Sequence, residues 1–219
     1  MVGFRRNFRG MSVAHGVWRL RRLPIAGLSG LLLASGSLAE TALPPKRIGV
    51  SERQVVIAGP LGYCADLSAA RDTPDAAFVL LGSCAAMGQS PDIPAPLAPA
   101  LLTASVVPGG PVPISDQLAG LNSFFRSEAG REALSRSGRA SSVKVIEAKG
   151  RAGVFYLHAR DASAPTGRGV QPDFWRAVLD VHGRIVTLTV VGLRERPLSA
   201  AAGMATLEVF VRQVQRENR

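Results

Sequence analysis

The sequence predicts an α+β domain with a mainly antiparallel sheet flanked by helices, and three observations carry that prediction. Residues 174–191 alternate in polarity about His182-Gly183. A two-residue turn there sets Trp175 opposite Val190, Ala177 opposite Leu188 and Leu179 opposite Val186 on one apolar face, with Arg176, Asp180, Thr187 and Thr189 on the other. Residues 153–160 alternate too, placing Phe155, Leu157 and Ala159 against Tyr156, His158 and Arg160. Helical spacing recurs in only two places, after the early strands and at the end of the chain, which is the order of an α+β fold rather than of alternating β-α-β units.

Residues 1–39 read as a secretory signal peptide. They hold six arginines and no acid, then the apolar stretch 23–34, then Ser37-Leu38-Ala39 before Glu40. A spanning anchor is the competing reading, but such a helix needs ~20 mostly apolar residues, and this stretch is shorter and diluted by Pro24, Gly27, Ser29 and Gly30. Translation from Met11 rather than Met1 would give the leader an ordinary basic region. The pair Arg21-Arg22 is followed by Leu23-Pro24-Ile25, a poor twin-arginine pattern, so the general secretion route is expected.

Residues 40–52 read as a flexible lead-in, with Pro44-Pro45 blocking regular structure, and 53–219 as a single domain. Within it 53–58 is strand-like, 59–62 is turn material, and 63–67 and 76–81 are strands carrying Cys64 and leading to Cys84. Residues 91–113 hold seven of the 15 prolines, so 100–107 should be one strand between extended loops. Residues 116–137 read as helix, capped by Ser115 or Asp116, ended by Gly138 and bent at Gly130. Strands 142–148 and 153–160 follow, joined by Lys149-Gly150-Arg151-Ala152. Ser199 caps a final helix with a core stripe of Met204, Leu207, Val211 and Val214.

The net charge of +10 falls to +4 once the six leader arginines are set aside. Scattered arginines at that charge do not form the concentrated patch of a nucleic-acid binder, and Arg126, Arg131, Arg136 and Arg139 read as a solvated helix face. Cys64 and Cys84 are the only cysteines. In an oxidising compartment they read first as one disulfide, which would stabilise the fold by ~3 kcal/mol. A metal site lacks further ligands nearby, and a redox pair lacks the Cys-x-x-Cys spacing.

The element order resembles the Mog1/PsbP-like fold over the last two thirds of the chain. A helix is followed by a hairpin with Gly153-Val154-Phe155-Tyr156-Leu157, a second through Gly183-Arg184-Ile185-Val186-Thr187-Leu188-Thr189-Val190, and a closing helix. The mature segment is also similar to uncharacterised exported proteins of alphaproteobacteria. That likeness runs through Gly62-Tyr63-Cys64, Leu80-Leu81-Gly82-Ser83-Cys84 and Phe125-Arg126-Ser127-Glu128-Ala129-Gly130-Arg131. The fold resemblance implies a layered α/β/α arrangement and an accessory or binding role, and carries no functional residue over.

Motifs for chemistry are sparse. Leu81-Gly82-Ser83-Cys84-Ala85 lacks the second glycine of a nucleophile elbow, and no metal-binding or phosphate-cradling pattern occurs. Gly167-Arg168-Gly169 lies in a polar loop, outside a strand-to-helix setting. The expectation is a non-catalytic envelope protein, periplasmic or secreted, without cofactor or metal, binding another envelope protein or a small ligand. Its candidate contacts are Tyr156, His158, Arg160, Arg176, Asp180 and Thr187, sharing one polar face if the two hairpins are neighbours. The alternative is a periplasmic hydrolase centred on His158, beside Arg160 and Asp161, as general base.

Overall fold

The computed structural model describes residues 46–88, 94–163 and 169–219. The leader, residues 40–45 of the lead-in, 89–93 of the proline-rich stretch and 164–168 of the polar loop lie outside the described residues. The sheet order is β3-β4-β5-β9-β8-β7-β6, antiparallel throughout, built from β3 (Tyr63–Asp72), β4 (Ala77–Ser83), β5 (Ala100–Pro108), β6 (Val143–Arg151), β7 (Val154–Asp161), β8 (Val170–Val181) and β9 (Arg184–Leu193). A two-stranded sheet of β1 (Arg47–Val50) and β2 (Val55–Ala58) stands apart from it. Flanking helices complete the expected α+β layering.

The last helix, α4 (Ala200–Glu217), closes one face. Ser199 caps it, its hydroxyl accepting from the Ala202 N–H at 3.2 Å. Leu207, Val211 and Val214 are buried as the stripe predicts, joined by Phe210, and with the β1–β2 hairpin they seal Leu102, Ala104, Val186, Leu188 and Val190. Gly203 lets the helix settle directly on the Trp175 indole, since a Cβ there would lie 2.3 Å from the ring. The other face carries α2 (Leu118–Arg126) and α3 (Glu128–Leu134), packed over β6 and β7 with Phe125 stacked on Phe155 at 5.5 Å. Both hydrophobic cores lie wholly within the 40–219 unit.

Several boundaries differ from expectation for identifiable reasons. The lead-in does not stay loose to residue 52. Arg47–Val50 is strand, and its turn places Ser51, Glu52 and Arg53 at φ 52°, 58° and 65°, a left-handed run costing ~1–2 kcal/mol per residue. Bonds from the Ser51 N–H to Asp72 (3.0 Å) and between His182 Nδ1 and the Gln54 carbonyl (2.8 Å) hold it. The 116–137 helix breaks at Ser127, not Gly130. Ser127 caps α3 by accepting from the Gly130 N–H at 3.1 Å, and Gly130 is there because a Cβ would meet the Phe124 carbonyl at 2.0 Å. The α2 N-cap is Gln117, whose side chain makes no capping bond and instead donates back to the Val112 carbonyl at 2.6 Å, behind a 3-10 turn at Ile114–Asp116. The β6–β7 connection is a two-residue turn at Ala152-Gly153, both at positive φ like His182-Gly183.

Candidate functional site

The β7–β8 register decides where the candidate residues go. Tyr156 lies opposite Ala177, Leu157 opposite Arg176 and His158 opposite Trp175. Directly opposed residues of antiparallel strands share a face. Tyr156, His158 and Arg160 therefore sit on the α4 face, and Arg176, Asp180 and Thr187 on the α2–α3 face. The single polar face expected of all six does not form. The hairpins are neighbours as expected, but no residue in the chain marks the register between them.

On the α4 face, the His158 ring stacks on Trp175 with centroids 4.8 Å apart. Its Nε2 lies 3.3 Å from Asp173 Oδ1, while Arg160 donates to Asp173 Oδ2 at 2.7 Å. Only 7 % of the His158 side chain is exposed. Among the described residues Asp173 is its hydrogen-bonding partner. Tyr156 is buried beneath the Arg151 guanidinium, 5.4 Å from the ring centre, and Arg151 pairs with Glu208 of α4 at 2.6 Å. These three residues fasten the sheet margin to α4. Asp161, next to Arg160 in sequence, points to the opposite layer and accepts from the Arg136 N–H (2.7 Å), the Ser142 hydroxyl (2.8 Å), the Ser163 N–H (2.9 Å) and the Ser163 hydroxyl (2.6 Å).

On the other face, Arg176 is half-buried. Its Nε donates to Thr189 at 3.3 Å and its guanidinium lies 5.5 Å from the Phe174 ring centre. Burial, then the charge of Arg136, lowers its pKa. Asp180 accepts from the Ile114 N–H at 2.6 Å and so anchors the 3-10 turn. Thr187 lies between Ser105 of β5 and Val178 of β8.

Beyond the reach of α2 and α3, none of the described helices packs on this face across β4, β5 and β9. Phe78 is 37 % and Val107 38 % exposed, with Leu80, Thr103, Ser105 and Thr187 half-buried between and beside them. Sequence reasoning found Thr187 and missed its neighbours. The signal was the 101, 103, 105, 107 alternation, Leu-Thr-Ser-Val, too mixed for a core and too apolar for a solvated face.

At the far sheet edge Cys64 and Cys84 form the expected disulfide, Cα atoms 4.9 Å apart, with Cys84 opening the short helix α1 (Cys84–Gly88). The Tyr63 hydroxyl donates to the Ala98 carbonyl, and burial pushes its pKa up to about 12. A 380 Å³ cavity there is lined by Lys46, Arg47, Leu61, Tyr63, Pro94 and Glu217, among others. The described residues contain no cluster of three or more His, Cys, Asp or Glu placed to hold a metal, and no helix long and apolar enough to cross a membrane.

No protein-family model matches the chain, and no curated protein does. Among solved structures it is similar to cyanobacterial PsbP (CyanoP) from Synechocystis sp. PCC 6803, in solution, at 13 % identity and a TM-score of 0.37, over 85 % of this chain and 97 % of that one. A likeness at this level carries no functional argument, and what the molecule does has to be argued from its own surfaces.

Proposed function

We propose that the chain is an exported, non-catalytic accessory domain that docks a protein partner on the open half of its α2–α3 sheet face. The observation that carries this reading is the surface formed by Phe78, Leu80, Thr103, Ser105, Val107 and Thr187. It joins apolar side chains and hydroxyls across the adjacent strands β4, β5 and β9, with Arg176 of β8 at its margin. Small-molecule sites are concave, whereas exposed apolar side chains interspersed with hydroxyls on a sheet face suit a protein interface. The disulfide and the leader support a site of action outside the cytoplasm. The hydrolase reading gains nothing from His158, which is stacked, paired and nearly closed to solvent.

A photoreactive amino acid replacing Thr187, with the protein expressed behind its own leader in its native host, tests this directly. One discrete adduct with an envelope protein is expected, lost on Phe78→Asp and not seen when the probe replaces Val209 on α4. The same products from both positions, or none from Thr187, would overturn the assignment.

A further inference from the structure

We propose that the disulfide end of the domain seats on an anionic lipid surface, inserting Leu61 and Leu97 while Lys46 and Arg47 meet the headgroup phosphates. Two loops come together at this end. Gly62, at φ 88°, packs so tightly on the next loop that a Cβ would lie 2.6 Å from the Pro96 nitrogen. Leu61 and Leu97 flank that contact and therefore stand close together. They are 79 % and 105 % exposed, the most exposed large hydrophobic residues among those described.

The tips are held rather than loose. The Tyr63 hydroxyl binds the Ala98 carbonyl, the Cys84 N–H donates to the Gly62 carbonyl at 2.8 Å, and the Cys64–Cys84 bridge ties the strand to α1. Two leucines presented on braced loops need little ordering before they enter an apolar phase. The basic residues lie beside them. Lys46 and Arg47 line the same cavity as Leu61, Arg47 with 73 % of its side chain exposed, and the acid lining it is Glu217, 3.2 Å from Arg47. Two cations against one carboxylate leave an excess positive charge around apolar tips, which is the complement of an anionic bilayer interface.

Flotation of the 40–219 domain, whose cores are complete in themselves, with vesicles of phosphatidylcholine and phosphatidylglycerol reads this out. Binding is expected at low salt, weakening as salt rises, and absent on phosphatidylcholine alone. Leu61→Ser with Leu97→Ser should lower partitioning at least tenfold, from the apolar area withheld from the bilayer. Lys46→Ala with Arg47→Ala should lower it by about tenfold or more and remove the salt dependence. Phe124→Ser, on α2 over the opposite edge of the sheet, should change nothing, and unchanged melting temperatures confirm that every variant is folded. Failure of the domain to float, retention of binding by the leucine variant, equal binding to neutral vesicles, or an equal loss on Phe124→Ser would each overturn the proposal.

Discussion

The two faces of the central sheet are built from alternate residues of the same strands and are covered by very different amounts of helix. β9 sends Val186, Leu188 and Val190 beneath α4, each 0 % exposed, and turns Ile185, Thr187 and Thr189 to the other side, where they are half-buried. The covering elements explain the difference. On one face α4 packs on β8 and β9 and the β1–β2 hairpin joins the same core, whereas on the other the described helices, α2 and α3, pack on β6 and β7. Seven strands spaced ~4.8 Å apart are about 29 Å wide, so two short helices placed over β6 and β7 leave the β4–β5–β9 side uncovered. The exposed sheet face thus follows from which strands the described helices cover.

Adjacent residues of β9 give the sharpest test. Leu188→Ala should cost about 2–5 kcal/mol through lost burial and the cavity left under α4, whereas Thr187→Ala should stay within about 0.5 kcal/mol. Urea denaturation of the two variants measures both; similar losses would mean that the open half is packed as tightly as the sealed one.

Paired glycines in the two helix layers should respond with opposite sign. Gly203→Ala gains helix propensity but drives a methyl into the Trp175 ring, 2.3 Å away, for a net loss of about 2 kcal/mol. Gly120→Ala in α2 meets nothing within 4 Å and should gain up to about 1 kcal/mol. If both variants were stabilised, α4 would not be seated on Trp175 as described.

Local chemistry was legible where it is encoded locally. The His182-Gly183 turn fixed its own hairpin register, Ser199 announced its cap, and the Leu207, Val211 and Val214 stripe declared its buried side, because each depends on residues a few positions apart. The β7–β8 pairing runs through a longer connection with no turn signature, so the sequence could not tell which face Arg176 would take relative to His158. The same limit hid the open platform, whose strands β4, β5 and β9 are brought together from distant parts of the chain. Gly130 was read as a weak point in a helix, but only the folded chain shows the Phe124 carbonyl that requires it. His158, the candidate base, stacks on Trp175 and lies beside Asp173, surroundings that its alternation with Tyr156 and Arg160 could not reveal.

Asp161 offers the smallest but most discriminating test, because its one carboxylate at the end of β7 gathers the donors of the segment that follows α3. Burial alone would raise its pKa, but donation from the Arg136 N–H, from Ser163 and from Ser142 outweighs that and lowers it. The folded state therefore keeps this carboxylate ionised to a lower pH than the unfolded chain, whose aspartates titrate near ~3.9. Between those two values the unfolded state binds more protons, so the stabilisation is complete above the unfolded pKa and is lost as pH falls through the folded one. Asp161→Asn keeps the shape and removes the charge, for an expected loss of about 1 kcal/mol at pH 7. The stability difference from the parent chain, followed by urea melts, should hold level down to about pH 5 and shrink below about pH 4. A difference that persisted unchanged to pH 2.5 would show that shape rather than charge holds the α2–α3 layer. Asp180→Asn, which alters a carboxylate with the single Ile114 donor, should lose less stability at pH 7 than Asp161→Asn.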